Sequence, residues 1–148
     1  MLASLREFFD RRLGPEAGSP EERQRLEVAT AALLVEVMRL DGASEEERAA
    51  VLRAVQRTFA LAPDAAQEIV ALADEEARES VGYYQFTSLI NRQFDAAQKE
   101  RVVELMWRVA YADASLSAHE QHVIRKVADL LHVPHSAYIA AKLRAKQG

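Results

Sequence analysis

The chain contains two copies of one short pattern, in which an apolar helical run ends in aspartate and a Ser-x-x-Glu sequence follows. The copies comprise Asp41, Ser44 and Glu47 near the start and Asp113, Ser117 and Glu120 near the end. Apolar residues on both sides of the copies align at a constant offset of 72 residues, as in Leu33 with Leu105 and Val55 with Val127. Because this agreement continues across a turn, it predicts a duplicated helical unit rather than a chance match of two helices.

Helix signals cover the chain from about residue 20 onward, and no stretch shows the alternation typical of strands. Glycine (5) and proline (4) are scarce among the 148 residues. Predicted helices begin at capping or proline positions, which are Ser19 with Pro20, Ser44, Pro63, Asp95 with Gln98, and Ser117 with Glu120. A chain of this length buries roughly 68–70% of its unfolded surface and needs no disulfide or metal to fold. We therefore predict one all-α domain.

Composition excludes several classes of function. The chain has no cysteine, which rules out disulfides and thiolate metal sites, and its net charge of −4 argues against nonspecific nucleic-acid binding. No apolar run approaches the roughly 20 residues that span a bilayer, and the first residues lack the apolar core of a signal peptide. We expect a cytoplasmic protein. Because no glycine-rich phosphate loop or nucleophile elbow occurs, we also expect that it is not an enzyme and holds no organic cofactor.

The domain organisation that we predict has three parts. Residues 1–13 form an amphipathic N-terminal helix, residues 14–19 form a linker, and residues 20–148 form the helical domain. The N-terminal helix has mixed charges on its polar side rather than a basic face, so packing onto the bundle or docking to a protein partner is favoured over lipid binding. Five aromatic residues are expected in the core or at an interface, namely Tyr83, Tyr84, Phe86, Phe94 and Trp107.

The acidic turns are the candidate site. Asp41 and Asp113 end the two central helices, and Glu47 and Glu120 lie one helical turn further on. Four carboxylates with turn carbonyls could supply the oxygen ligands that Ca²⁺ or Mg²⁺ requires. The alternative is purely structural, because Ser-x-x-Glu is a capping box and aspartate is an ordinary turn residue. The serines align only at an offset of 73, so the first turn is one residue shorter than the second.

The four histidines form two pairs, His119 with His122 and His132 with His135. The spacing within the first pair is i, i+3, whereas the zincin motif requires i, i+4. An all-histidine zinc site is one interpretation. Surface and helix-end histidines are the favoured interpretation, because structural zinc sites usually include cysteine.

Several segments carry a resemblance to a known family. These are Arg39-Leu40-Asp41-Gly42, Glu46-Glu47-Arg48, Tyr84-Gln85-Phe86-Thr87 with Leu89-Ile90-Asn91, Leu105 to Asp113, and Ile124 to Val133. On these segments the chain resembles the TerB-like family of tellurite-resistance-associated proteins, over roughly residues 24–145. The second turn departs from the family pattern, with Asp113-Ala114 where many relatives have Asp-Gly.

The resemblance implies a fold and a role. The implied fold is an all-helical, orthogonal or irregular bundle of about seven helices in two similar halves. The implied role is that of a non-enzymatic interaction module that binds a cation at its acidic turns and works with a membrane-linked stress-response complex. Such a protein would be cytoplasmic or peripheral at the inner membrane and would have a protein partner. A dedicated divalent-metal-binding or metal-sensing protein is the alternative.

Overall fold

The computed structural model describes residues 20–40, 42–112 and 116–147. Within these ranges the chain forms seven α-helices and no strand, which confirms the all-α prediction. The helices are α1 (Pro20–Leu40), α2 (Glu45–Phe59), α3 (Pro63–Glu79), α4 (Tyr84–Gln93), α5 (Ala96–Ala110), α6 (Ala118–Leu130) and α7 (His135–Gln147). The predicted N-terminal helix at 1–13, the linker at 14–19 and the cap at Ser19 lie outside the described residues.

The helix starts follow from local sequence. All three of the capping boxes predicted within the described residues are present, and they begin α2, α5 and α6. In each box the N-cap side chain accepts a hydrogen bond from the third helical N–H, and the side chain of that third residue accepts one from the N-cap N–H. Two donors that the helix start would leave unpaired are thereby satisfied. Pro63 begins α3, where its missing N–H costs no hydrogen bond.

The ends of α2 and α6 repeat one backbone arrangement. Ala60 and His132 have left-handed backbones, with φ of 54° and 60°. The residue after each donates its N–H to the carbonyl five residues back, at 3.0 and 2.9 Å respectively. This is the Schellman motif, which usually has glycine at the left-handed position. The two positions are 72 residues apart, so the duplication extends to backbone detail.

The helices form two similar units, α1 to α3 and α5 to α7. In each unit the first helix packs most extensively against the third. The first helices of the two units, α1 and α5, also pack on each other. The second helix of each unit contacts the first helix of the other, α2 with α5 and α6 with α1. This reciprocal packing confirms the two pseudo-repeated halves. Between them, α4 packs mainly on α1.

The core is built around α1 and α5. Every residue of α1 from Leu26 to Val35 is buried, as expected for a central helix that is apolar on most sides. In the second unit Trp107 is fully buried on α5. Its ring lies 5.4 Å from the ring of Tyr138, and the Lys142 ammonium lies 5.0 Å from its centroid. Both partners belong to α7, so this one side chain joins the first and third helices of its unit.

The aromatic residues around α4 are divided between core and surface. Phe86 and Phe94 are buried, whereas Tyr84 is 73% exposed. Tyr84 is the first residue of α4 and follows the exposed Val81. The two phenylalanines therefore lie in the core, as one of the two predicted positions requires, whereas Tyr84 lies on the surface.

Candidate cation site at the acidic turns

The structure describes two of the four predicted ligands. Glu47 and Glu120 lie in the first turns of α2 and α6. Asp41 and Asp113 lie outside the described residues; in the sequence, Asp41 directly follows α1 and Asp113 comes shortly after α5. The geometry of the site is therefore that of the two glutamates and the caps that hold them.

The first capping box holds Glu47 by one carboxylate oxygen. Its Oε1 accepts hydrogen bonds from the backbone N–H of Ser44 at 3.4 Å and from the Ser44 hydroxyl at 3.2 Å. The Ser44 Oγ in turn accepts from the backbone N–H of Glu47 at 3.2 Å. The turn before this box contains Gly42 with φ of 81°, which suits the end of a helix. Only residues 41–44 separate α1 from α2 in the sequence.

The second box is tighter. Glu120 Oε1 accepts from the backbone N–H of Ser117 at 2.9 Å, and Ser117 Oγ accepts from the backbone N–H of Glu120 at 3.0 Å. The other carboxylate oxygen, Oε2, is buried and has no hydrogen-bond partner in the part of the chain that the structure describes. A buried carboxylate oxygen without a partner is costly, because it has lost its water and gained nothing in exchange.

Both glutamates are fully buried, with 0% of their surface exposed. Capping alone does not require this, since the side chain at the third position of a helix can cap while facing water. The third capping box, formed by Asp95 and Gln98, provides a comparison for the burial of the glutamates. There the buried third residue is the neutral Gln98, 2% exposed, and the acid is the half-buried Asp95. Gln98 has a donor nitrogen, Nε2, at the place of Glu120 Oε2. This nitrogen also has no hydrogen-bond partner among the described residues.

The two Ser-x-x-Glu boxes therefore differ chemically from the third. The buried oxygens of Glu47 and Glu120 attract a cation, whereas the buried N–H₂ group of Gln98 repels one. Among residues 20–40, 42–112 and 116–147, no group of three or more His, Asp or Glu side chains is close enough to hold a metal ion. A site at either turn would need the aspartate of that turn as well.

The comparison with protein families decides the classification. The model of the family described as "Tellurite resistance protein TerB" matches residues 27–143. This chain belongs to that family. The match extends from the middle of α1 into α7, so it includes both acidic turns and confirms the resemblance seen in the sequence. No curated protein and no solved structure matches the chain.

Two further features of this TerB-family chain bear on the predicted sites. His119, His122, His132 and His135 are all exposed, as the favoured interpretation of surface and helix-end histidines requires. None of the helices in the described ranges has the length and apolar character that a membrane span needs.

The sequence analysis missed a second charged cluster, which is centred on Glu104 of α5. Glu104 is only 5% exposed. Its carboxylate accepts hydrogen bonds from Arg101 at 2.7 Å, from Arg108 at 3.1 Å and from Arg144 at 2.7 Å. Burial by itself would raise the pKa of Glu104, but the hydrogen bonds from Arg144 and Arg108 and the charges of Arg101 and Arg144 outweigh it and lower the pKa. The spacing of Arg101 and Arg108 could have indicated contacts along one helix, whereas Arg144 is 40 residues away.

Proposed function

We propose that this TerB-family protein is a non-enzymatic helical interaction module whose acidic turns bind a divalent cation, Ca²⁺ or Mg²⁺. The observation that carries the proposal is the state of Glu120, whose carboxylate is fully buried with one oxygen in the cap and the other without a hydrogen-bond partner among the described residues. A hard cation would satisfy that oxygen, because carboxylate oxygens are the ligands that these ions prefer.

The remaining ligands come from the same turn. Asp113 precedes Glu120 in the second turn, and Asp41 precedes Glu47 in the first. Each turn also contains backbone carbonyls, and an ion of this kind completes its coordination with water. The proposal assigns Asp41, Glu47, Asp113 and Glu120 to cation binding and gives the serines the separate task of capping.

The proposed interaction role concerns a protein partner in a membrane-associated stress-response complex. The apolar side chains that α3, α4 and their connection present to solvent support it, in particular Val81 and Tyr84, which is 73% exposed. Residues 1–13 are a proposed docking segment. Recovery of a partner by the full chain and by a chain that lacks residues 1–13 tests this: equal recovery by both would remove the segment from the proposal.

Differential scanning calorimetry tests the cation. The unfolding midpoint is measured in EDTA and then with Ca²⁺, Mg²⁺ or Zn²⁺. A ligand that binds only the folded state stabilises it by about 2.7 kcal/mol at a concentration of 100 times its Kd. We expect Ca²⁺ or Mg²⁺ to raise the midpoint of the natural protein, and Asp41→Asn with Asp113→Asn to abolish the rise.

Asp95→Asn is the matched control, because it makes the same change in the capping box that has no acidic turn. We expect its midpoint to rise with the cation as much as that of the natural protein. If no cation raises the midpoint of the natural protein, cation binding is refuted.

A dedicated metal sensor is the second candidate, favoured by the full burial of both glutamates, because ligation at a buried group alters core packing. It predicts that the cation changes partner recovery, whereas a purely structural ion leaves recovery unchanged.

A further inference from the structure

A cleft of about 490 Å³ opens where the two units meet. It lies between the second half of α2 and the face of α5, and the last residues of α7 close one end. Small-molecule sites in proteins have volumes of roughly 300–1,000 Å³, so the size suits a metabolite. All of its lining residues belong to the described ranges.

Five cationic side chains surround this cleft, namely Arg53, Arg57, Arg101, Arg108 and Lys146. Arg53 and Arg57 are one helical turn apart on α2, are exposed, and form no ion pair within the described residues. Lys146 at the end of α7 is exposed and forms none there either. Such a concentration of positive charge is unexpected in a chain whose net charge is −4.

The neighbouring carboxylates do not neutralise the cleft. Glu104 is shared by Arg101, Arg108 and Arg144, and Glu100 pairs with Arg144. Three arginines therefore share two carboxylates. Arg53, Arg57 and Lys146 have no carboxylate partner among the described residues. Among the described residues the excess is several positive charges, so a ligand that completes the site would carry several negative charges of its own. Arginine forks bind phosphate oxygens in pairs, which makes phosphate the fitting group.

The floor of the cleft has a different character. It is lined by Ala50, Ala54, Leu105 and Ala145, with the ring of Tyr111 beside them. Burial raises the pKa of the Tyr111 hydroxyl, so this ring is neutral at physiological pH. An apolar floor beneath a cationic rim fits a ligand with an organic part as well as an anionic part.

Thr58 adds a hydrogen-bonding group at the same place. It lines the cleft and is 4% exposed, and its hydroxyl has no hydrogen-bond partner in the described part of the chain. A hydroxyl can both donate and accept, so it suits an oxygen of a sugar or a phosphate. A buried hydroxyl left without a partner is costly. The Thr58 oxygen has almost no exposed surface, so a ligand oxygen reaches it only after a small rearrangement of the cleft wall.

The duplication provides an internal comparison. At the repeat offset of 72 residues, Arg57 corresponds to Asp129 and Arg108 corresponds to Glu36. The equivalent surface of the other unit therefore has acids at two of these positions, whereas Arg53 corresponds to another arginine, Arg125. The positive charge is a property of one cleft and does not follow from the repeated fold.

From these observations we propose that the cleft binds a small organic molecule with at least two linked phosphate groups, of the nucleoside diphosphate class. The arginines of α2 and α5 hold the phosphates from opposite sides, Thr58 binds a polar oxygen, and the organic part lies on the apolar floor beside Tyr111. The cleft reaches Ala112, which directly precedes Asp113, but none of the groups proposed to bind the ligand belongs to an acidic turn, and the proposal requires no cation there.

Isothermal titration calorimetry tests the proposal with four probes: ADP, pyrophosphate, AMP and adenosine. EDTA is present throughout, so the outcome is independent of the proposed cation site. We expect ADP to bind most tightly, pyrophosphate and AMP to bind more weakly, and adenosine not to bind, because phosphate contacts and apolar contacts both contribute. Binding by neither ADP nor pyrophosphate at millimolar concentration would overturn the proposal. If pyrophosphate binds as tightly as ADP, the assignment to a nucleoside is wrong.

Charge variants locate the site. The double variant Arg53→Gln with Arg57→Gln should bind ADP at least about tenfold more weakly, because two charge-assisted contacts are lost. Both side chains are exposed, so folding should be unaffected, which circular dichroism checks. The matched control is Arg125→Gln, at the position on α6 that corresponds to Arg53, and its affinity for ADP should equal that of the natural protein. Equal affinity in the double variant would place any binding elsewhere.

Discussion

Replacing Glu104 with glutamine would deprive three arginines of the carboxylate that they share. The carboxylate joins Arg101 and Arg108 of α5 to Arg144 of α7, through contacts of 2.7, 3.1 and 2.7 Å. The substitution keeps the size of the side chain and one acceptor oxygen, and it removes the charge. It therefore measures what the ionic link between the first and third helices of the second unit contributes to stability.

The magnitude follows from the exposure of the partners. A hydrogen bond to a charged group contributes about 1.5–3 kcal/mol. The Glu104 side chain is only 6% exposed, but those of the arginines are 36–46% exposed, so water screens their charges and can hydrate them after the change. We expect a loss of about 2 kcal/mol rather than the sum of three full contacts. For a domain of this length that corresponds to a midpoint lower by about 4–8 °C.

The dependence on pH provides a second, independent test. Because the folded pKa of Glu104 is lowered, its contribution is fully present above the ordinary pKa of a glutamate, about 4.3. The contribution is lost as pH falls through the lower folded value. Urea denaturation at pH 7 and at a series of acidic values should therefore show a gap between natural protein and variant that narrows only in acid.

Glu100→Gln is the control for this prediction. Glu100 lies one turn earlier on α5 and accepts from the same Arg144 at 2.7 Å, but its side chain is 31% exposed. We expect a loss below about 1 kcal/mol there. Equal stability of the Glu104→Gln variant and the natural protein at pH 7 would refute the argument, and so would a gap that stays constant into acid.

Three further substitutions test the packing and the backbone, each by urea denaturation at pH 7. Trp107→Ala should cost about 3–5 kcal/mol, because the fully buried ring leaves a cavity between α5 and α7; a loss below 1 kcal/mol would contradict its role. Asn91→Ala should cost about 1 kcal/mol, because the Asn91 Nδ2 donates to the Leu130 carbonyl at 2.8 Å and so ties α4 to the end of α6. Ala60→Gly should stabilise the protein by about 0.5 kcal/mol, because the left-handed backbone at φ 54° suits glycine, and a loss of stability would show that the strain is absent.

The sequence predicted the helices well, because the signals that begin and end a helix are local. The boxes at Ser44, Asp95 and Ser117 lie within four residues, and each begins a helix where it was predicted. The repeat offset also carried over to packing, since Val55 and Val127 are both buried. The apolar positions of α7 were less informative: Leu143 is 53% exposed, because α7 packs mainly on α5 alone among the described helices.

Long-range features were beyond the reach of the sequence. The pattern Ser-x-x-Glu indicates a cap wherever the helix start lies, so it could not show that Glu47 and Glu120 are fully buried. The cationic cleft combines residues of α2, α5 and α7 that are separated by more than 30 positions, and no local spacing brings them together. The burial of a side chain and the grouping of distant residues depend on how the two units pack, and this packing is known only from the structure.

Direct titration of Ca²⁺ and of Mg²⁺ into metal-free protein tests the central claim, that the buried carboxylate of Glu120 belongs to a cation site. Glu120→Gln is the decisive variant, because it keeps the Oε1 acceptor of the cap and replaces the inner oxygen with an N–H₂ group. The account predicts that one of the two ions binds the natural protein and binds the variant at least about tenfold more weakly, a loss of about 1.4 kcal/mol. Equal binding by the two proteins, or no binding by the natural protein at millimolar concentration, would contradict it.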